Sequence, residues 1–433
     1  MTIKVAIIGS GPSGFYTADS LIKSKSDVEI DIIDRLPTPF GLIRGGVAPD
    51  HQTTKKVAKA YEKIALNNSV NYFGNVEVGK DISIDELRKT YDAVVLAVGA
   101  PTDRKLGIPG DDKKGVYGSA DFVGWYNGHP DFTNLNPNLN VKAVAVIGVG
   151  NVAIDAARVL VKTPNEMAAT DIADHATQAI NASPISDVYL FGRRGPVEAK
   201  FTNVELREMG KLENCMPIVH EDQIPEEVVG SWSERDQRLK ERNLTTMREF
   251  LQVDPTTKSK NVHFEFFANP VEVLGNDRVE GLRVEKTMVK GGRALGTGEF
   301  FEIECGLVVA AIGYYSIPVK GVPFDNDNGI VKHIDGRIDE GVYAVGWIKR
   351  GPTGVIGTNK PDGVIAAKQI IEDTKESEKL GRIALTSMLK ERNVRIVTYQ
   401  DWQKIDEAEM TAASNQAPRK KFVTVKEMIS ALD

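Results

Sequence analysis

A glycine-rich turn between an apolar run and a helical stretch occurs twice in this chain of 433 residues, and no other feature restricts its fold as much. The first turn is Gly9-Ser10-Gly11-Pro12-Ser13-Gly14, after the β-rich run Lys4–Ile8. A helical stretch follows from Phe15, and a second apolar run, Val28–Ile33, ends in Asp34. Strand, GxGxxG, helix, strand and terminal acid are typical of a dinucleotide-binding Rossmann unit.

Each glycine of this pattern has a mechanical role in binding a dinucleotide. Gly9 allows the tight turn, Gly11 lets the backbone approach a pyrophosphate, and Gly14 lets the helix pack closely on the strand. The helix N-terminus offers free N–H groups and a partial positive charge to the phosphates. Asp34 is expected to accept hydrogen bonds from a ribose 2′-hydroxyl.

The second turn has a different character at the end of its partner strand. Gly148-Val149-Gly150-Asn151-Val152-Ala153 follows an apolar run from Lys142, and the next strand pattern, Asp187–Phe191, leads into Gly192-Arg193-Arg194-Gly195. Paired arginines suit a 2′-phosphate, which a carboxylate would repel. The sequence therefore predicts one site for a dinucleotide with a free 2′-hydroxyl and one for NADP.

The chemistry that these two sites permit follows by elimination. FAD is the expected ligand of the first site, because a flavin can accept a hydride from the nicotinamide held at the second. Only two cysteines are present, Cys215 and Cys305, and their separation excludes a CxxC pair, a zinc ribbon and a four-thiolate cluster. Electrons must therefore leave the flavin to an external acceptor.

Two similar strand patterns, 93–99 and 307–313, bracket the NADP unit and predict the domain order. The predicted fold class is α/β, with two Rossmann-like dinucleotide-binding domains and the NADP domain inserted into a discontinuous FAD domain. The predicted FAD domain comprises residues 1–103 and 320–433, and the predicted NADP domain residues 104–319.

Charge and hydropathy exclude several kinds of partner. The net charge of −6 argues against general binding of nucleic acid or anionic membranes. No apolar stretch approaches the ~18–20 residues of a membrane span, and the N-terminus has no basic segment with a cleavage site. We expect a cytoplasmic protein without a membrane span. The sequence patterns do not indicate whether the protein is a monomer or an oligomer.

Longer motifs carry a resemblance to one family. The segments 36–51 (LPTPFGLIRGGVAPDH) and 346–359 (GWIKRGPTGVIGTN), together with 148–158 and 192–196, resemble the adrenodoxin-reductase-type ferredoxin–NADP(+) reductases. The segment 402–406 resembles the bacterial branch. The resemblance implies an FAD enzyme that passes electrons between NADPH, as a hydride, and a one-electron iron–sulfur protein such as ferredoxin.

The resemblance also implies roles for individual residues. It places His51, Asp155 and Glu208 at polar catalytic positions, and it implies no metal. Residues expected to contact FAD are Gly9, Gly11, Gly14, Asp34, Leu42, Val78, Trp347, Gly354, Val355 and Ile356. Residues expected to contact NADP(H) are Arg104, Gly148, Gly150, Asn151, Val152, Ala153, Ile154, Arg193, Arg194 and Glu205.

Two alternative functions stay open at this point. One is an NADPH electron-input flavoprotein like the small subunit of glutamate synthase, a class that normally brings a Cys-rich cluster domain which two cysteines cannot supply. The other is a non-catalytic nucleotide-sensing module. Ferredoxins are usually acidic, so a basic docking patch is expected despite the net charge. One candidate patch is Arg235, Arg238, Lys240, Arg242 and Arg248, where interleaved acids also fit a solvated helix face, and the other is Lys349 with Arg350.

Overall fold

The chain divides into two compact units, one inserted into the other along the sequence. A computed structural model describes residues 2–24, 26–253, 258–375, 377–414 and 416–433. The first unit comprises residues 1–47, 51–102 and 313–433, and the second comprises Ala48–Asp50 and Asp103–Ile312. The predicted fold class is confirmed, because each unit is built on its own sheet of mainly parallel strands.

The strands of both units are short and mostly apolar, as expected where helices cover both faces of a sheet. In chain order they are β1 (Ile3–Ile8), β2 (Val28–Ile33), β3 (Val70–Phe73), β4 (Ala93–Leu96), β5 (Thr102–Asp103), β6 (Val116–Gly118), β7 (Ala143–Ile147), β8 (Asp187–Gly192), β9 (Cys215–Val219), β10 (Lys260–Phe266), β11 (Ala268–Leu274), β12 (Gly281–Lys290), β13 (Arg293–Glu304), β14 (Leu307–Ala310), β15 (Tyr314–Tyr315), β16 (Phe324–Asp325), β17 (Ile330–Val331), β18 (Arg337–Asp339) and β19 (Val342–Ala344).

Helices connect the parallel strands. In chain order they are α1 (Pro12–Lys23), α2 (Leu42–Gly45), α3 (Gln52–Lys55), α4 (Ala58–Ala65), α5 (Ile84–Thr90), α6 (Ser119–Asn127), α7 (Asn151–Val161), α8 (Pro164–Met167), α9 (Asp174–Asn181), α10 (Asn203–Met209), α11 (Glu234–Phe250), α12 (Trp347–Arg350), α13 (Asn359–Asp373), α14 (Arg382–Glu391), α15 (Tyr399–Thr411) and α16 (Val425–Ser430). No helix in the described ranges combines the length and the apolar character that crossing a membrane requires.

The sheet of the first unit has the order β18-β19-β4-β1-β2-β3. All pairs are parallel except β18 with β19. Its central strands are buried on both faces, and the helix α1 packs against one face together with α13. Strands β1, β2, β4 and β19 therefore all end at the same edge of the sheet.

The second unit repeats this plan with the parallel order β6-β14-β7-β8-β10-β9. Between β10 and β14 the chain adds an antiparallel sheet of β11, β12 and β13. The sequence patterns did not predict this sheet. Its buried side chains, which include Val273, Leu282 and Val284, belong to a separate apolar cluster.

Candidate functional site

In the first unit the glycine turn lies at the carboxyl edge of the sheet, between β1 and α1. Gly9 has φ +107°, and a Cβ there would lie 2.5 Å from the carbonyl oxygen of Ala97. A Cβ on Gly14 would lie 2.2 Å from the carbonyl oxygen of Gly9. Both positions therefore require glycine for reasons within the fold itself.

Gly11 differs from the other two glycines because the position that its Cβ would occupy is open space. A Cβ on Gly11 would have no atom within 4 Å. The residue is also the N-cap of α1, which begins with Pro12 and has no side-chain cap. An open backbone position beside an uncapped helix N-terminus fits a pyrophosphate, which the N–H groups and the helix dipole attract. The geometry of the first turn therefore fits a bound dinucleotide.

The Asp34 carboxylate, just after β2, is hydrogen-bonded to this turn. It accepts hydrogen bonds from the Ser10 amide at 2.9 Å, the Ser10 hydroxyl at 2.5 Å and the Leu36 amide at 3.0 Å. A carboxylate has roughly four acceptor positions, so these bonds are compatible with one more from a ribose hydroxyl. Val78, another predicted FAD contact, lies two residues after Val76, whose amide donates to the Asp34 carbonyl at 2.9 Å.

A second turn, Phe40–Gly41, lies against the glycine turn and leads into α2. The Phe40 amide donates to the Ser10 carbonyl at 3.0 Å, and a Cβ on Gly41 would lie 3.0 Å from the Gly11 Cα. Phe40 has φ +84°, which is unusual for a residue other than glycine. Leu42, the first residue of α2, exposes 47% of its surface. An exposed leucine beside the open turn suits an apolar contact with a bound dinucleotide.

Trp347 follows β19 at the same edge of the sheet. A Cβ on Gly346, which has φ +71°, would lie 2.7 Å from the Ser13 side chain, so this strand end also lies directly against α1. The Trp347 indole donates to the Thr353 carbonyl at 3.2 Å and stacks on Tyr314 with 6.0 Å between ring centroids. These contacts fix the indole plane and the segment that leads to Gly354.

The segment Gly354–Ile356 presents backbone and apolar surface. Gly354 has φ +84°, Val355 is 62% exposed, and Ile356 is half-buried against the core of the unit. Exposed backbone at a glycine, next to exposed aliphatic side chains, forms a surface that fits a flat ring system. His51, the remaining predicted residue of this unit, is the half-buried N-cap of the short helix α3.

The second unit repeats the glycine geometry between β7 and α7. Gly148 has φ +137°, and a Cβ there would lie 2.3 Å from the Ala311 carbonyl oxygen, whereas a Cβ on Gly150 would have no atom within 4 Å. Asn151 accepts the Thr202 amide at 2.8 Å, while Ala153 and Ile154 are buried on the core side of α7. This turn also fits a pyrophosphate.

The arginine loop after β8 is held by the antiparallel sheet. The Arg193 carbonyl accepts the Thr287 hydroxyl at 2.8 Å, and the Arg194 carbonyl accepts the Phe267 amide at 3.1 Å. The Arg193 side chain is exposed, and the Arg194 guanidinium donates to the Gly292 carbonyl at 3.3 Å. Arg104, also predicted for NADP(H), is exposed in the same unit. The loop therefore presents cationic groups on a fixed backbone, as a phosphate site requires.

Several carboxylates of the second unit surround Arg158, and three of them are predicted site residues. Its buried guanidinium donates to Asp50 at 2.7 and 3.0 Å and to Asp155 at 2.8 Å. It also contacts Glu205 at 3.3 Å and Glu208 at 3.4 Å. The structure thus brings Asp155, Glu205 and Glu208 together around one fully buried cation.

Asp50 and Arg158 were not among the predicted site residues. Burial would raise the pKa of Asp50, but its hydrogen bonds and charge interactions with Arg158 and Lys162 outweigh burial and hold that pKa far below its usual value. Asp50 therefore stays ionised in the folded unit. A sequence signal was available, because Arg158 is the one cation within the otherwise apolar and acidic helix NVAIDAARVLV.

The cysteines take no part in either site. Both thiols are free and buried, and burial raises the pKa of each to about 12. A thiol with that pKa is not a nucleophile at neutral pH. The structure therefore agrees with the exclusion of dithiol chemistry from the spacing of Cys215 and Cys305.

Comparison with known proteins adds to this geometry. The profile of a family described as pyridine nucleotide-disulphide oxidoreductase matches residues 3–189. The mitochondrial NADPH:adrenodoxin oxidoreductase of Arabidopsis thaliana is 40% identical over 460 aligned residues, which cover 99% of this chain and 95% of the plant protein. The NADPH-ferredoxin reductase FprA of Mycobacterium tuberculosis is 39% identical, with 98% of each chain covered.

The fold agrees with a solved structure over the whole chain. The structure described as Mycobacterium tuberculosis FprA in complex with NADPH superimposes with a TM-score of 0.94 and 37% sequence identity, and it covers 100% of both chains. At this identity and coverage the likeness extends beyond the shared Rossmann plan.

Proposed function

Because the chain belongs to the family of NADPH:adrenodoxin oxidoreductases and NADPH-ferredoxin reductases, we propose that it passes electrons between NADPH and an iron–sulfur protein through FAD. The observation that carries this proposal is the pair of open glycine turns, Gly11 and Gly150, with an acid after one partner strand and two arginines after the other. One turn suits FAD and the other suits NADP(H).

We assign FAD to the first unit and NADP(H) to the second. Bound FAD supplies the chemistry that the chain lacks, since a flavin takes a hydride and gives up electrons singly. The chain itself binds and orients: Gly11 and the α1 N-terminus hold a pyrophosphate, Asp34 a ribose, and Arg193 with Arg194 a 2′-phosphate. Leu42 would line the adenosine and pyrophosphate side of FAD, and Trp347 with the segment Gly354–Ile356 would hold the flavin ring.

His51, Asp155 and Glu208 stay proposals for catalytic positions. The fixed geometry of Asp155 and Glu208 around Arg158 supports a role for these two, because reacting groups are best held by groups that are themselves ordered. The chain therefore contributes orientation at this cluster.

The docking surface for an acidic iron–sulfur protein is proposed on α11. Arg238 is exposed and pairs only with exposed Glu234 at 3.4 Å, and Arg235 and Arg242 make no ion pair within the described part of the chain. Lys240 and Arg248 are engaged locally, because they donate to the backbone carbonyls of Val197 and of Pro225 and Glu226. Three arginines are thus available on one helix.

The competing patch has less charge to offer. Lys349 contacts the Asp362 carboxylate at 3.4 Å, and Arg350 also pairs with Asp362. Asp362 is only 8% exposed, and both cations are largely covered. Because Asp362 neutralises part of their charge within the first unit, Lys349 and Arg350 are a weaker candidate for long-range attraction of a partner.

The test is a visible spectrum of the purified protein followed by anaerobic titration with NADPH and then NADH. The expected result is a flavin spectrum that NADPH bleaches at far lower concentration than NADH does. Reduction of a cytochrome should then depend on added ferredoxin. A colourless protein, or one that responds equally to both nucleotides, contradicts the proposal. A cytoplasmic location stays a prediction.

A further inference from the structure

Helix α15 contains a fully buried carboxylate, Glu409, whose partners include an arginine far away in the sequence. Glu409 has no exposed surface. Its carboxylate accepts from Arg44 at 2.9 Å and from the Phe422 amide at 2.8 Å, and it pairs with Arg419 at 3.5 Å. A second nitrogen of Arg44 contacts the other oxygen, so the Arg44–Glu409 pair is bidentate. Such a pair fixes geometry as well as charge.

Further contacts from the same C-terminal segment hold the turn that contains Arg44. The Arg44 guanidinium lies 5.2 Å from the centroid of the Trp402 ring, and the Lys421 ammonium donates to the Arg44 carbonyl at 3.2 Å. Trp402 also packs edge-on against Phe40, with 6.0 Å between ring centroids. Helix α15 and the chain after it therefore contact both ends of the segment Phe40–Arg44.

That segment in turn lies on the glycine turn of the first unit. Phe40 donates its amide to the Ser10 carbonyl, and Gly41 approaches Gly11 so closely that a Cβ would lie 3.0 Å from the Gly11 Cα. Phe40 adopts φ +84°, a conformation that a phenylalanine keeps only where its surroundings impose it. A continuous set of contacts thus runs from Glu409 to the open position at Gly11.

We propose that Glu409 is a positioning residue for FAD binding. Through Arg44, and together with Trp402, it holds the Phe40–Gly41 turn against Gly11, so that the pyrophosphate site is formed before the ligand arrives. Neither Glu409 nor Trp402 lines the open turn. Pre-formed sites bind more tightly because less ordering accompanies binding. This inference rests on the proposed function, since it takes FAD as the ligand of the first unit.

The experiment compares Glu409→Gln with Glu407→Gln, the same exchange at an exposed position of the same helix. Full-length holoprotein is diluted, and the fluorescence of released flavin gives the dissociation constant of FAD. The expected result is a dissociation constant raised about tenfold or more in Glu409→Gln and unchanged in Glu407→Gln. An unchanged constant in Glu409→Gln overturns the inference.

A double variant separates positioning from stability. Glu409→Gln removes the negative charge that pairs with the buried Arg44 guanidinium, which destabilises the fold, whereas Arg44→Met with Glu409→Gln removes both charges. The double variant should recover thermal stability and still release FAD, because the bidentate link is absent. If FAD affinity returns together with stability, Glu409 acts on folding alone and the inference is wrong. Wild-type protein that binds no FAD contradicts the proposed function instead.

Discussion

Two glycines of the first turn are expected to serve different purposes. Gly14 is required by the fold, whereas Gly11 is required by the ligand. Gly11→Val adds a branched side chain where the protein leaves open space, so we expect a folded protein that has lost FAD. Gly14→Val adds atoms 2.2 Å from the Gly9 carbonyl oxygen, so we expect misfolding. Circular dichroism reports the fold and visible absorbance the flavin. A fully yellow Gly11→Val protein would place FAD elsewhere.

We expect the two arginines after β8 to decide which nucleotide is used. Each charge-assisted contact with a 2′-phosphate contributes roughly 1.5–3 kcal/mol. Replacing both Arg193 and Arg194 with glutamine should raise the Michaelis constant for NADPH about tenfold or more and leave that for NADH nearly unchanged. Arg207→Gln, an exposed arginine of α10 in the same unit, is the control. If wild-type protein already prefers NADH, the assignment is wrong.

Prediction from the sequence succeeded where residues act on near neighbours. The turns at Gly9–Gly14 and Gly148–Ala153 could be predicted, because strand, turn and helix follow one another within a few residues. Arg44 and Glu409 lie 365 positions apart, and no local pattern connects them. Asp50 meets Arg158 across 108 positions. Such pairs depend on tertiary packing, which composition and periodicity do not encode.

At the scale of elements, α11 carries the docking prediction. Reversing charge with Arg238→Glu and Arg242→Glu should weaken ferredoxin-dependent cytochrome reduction and reduce its dependence on salt, since the acidic partner loses an attracting surface. Reduction of ferricyanide by NADPH should stay intact. The matched control reverses two exposed lysines of the first unit, Lys368 and Lys404. Unchanged activity in both assays moves the docking site to another surface.

Strand β2 and helix α14 are joined by a buried group that titrates. Asp31 accepts the Tyr91 hydroxyl and the Arg382 guanidinium, each at 2.7 Å. Burial raises the pKa of Asp31 from 3.8 to about 6, although Arg382 opposes this shift. The folded protein therefore holds this proton more tightly than the unfolded chain does. The contribution of Asp31 to stability should fall as the pH rises from about 4 to about 6, by roughly 3 kcal/mol at most.

The substitution Asp31→Asn tests this sign. The wild-type melting temperature minus that of the variant should decrease between pH 4 and pH 7, because only the wild-type protein must ionise a buried carboxyl. The exposed Asp85→Asn in α5 is the control and should give a constant difference. A difference that grows with pH would mean that the Arg382 pair dominates and lowers the pKa of Asp31.

At the scale of the whole chain, the fold duplicates one plan and adds parts that the plan does not need. Each unit has its own parallel sheet, glycine turn and apolar core. The antiparallel sheet of β11–β13 and the C-terminal helices α15 and α16 are additions. Thr287 of the first addition, and Phe267 just before it, donate to the backbone of the arginine loop. Glu409 of the second addition pairs with Arg44, which follows the Phe40–Gly41 turn. We therefore propose that the additions support the two nucleotide sites.

Separate nucleotide sites in separate units predict that one can fail alone. In Gly150→Val the new side chain enters open space at the second turn, so the unit should fold and lose NADP(H), whereas FAD in the first unit should stay bound. Anaerobic titration should show that NADPH no longer bleaches the flavin band, while dithionite still does. The chemically reduced variant should then pass electrons to ferredoxin as wild-type protein does, because that step needs no nucleotide. Loss of the yellow colour in Gly150→Val, or reduction by NADPH at the wild-type rate, would contradict the assignment of NADP(H) to the second unit.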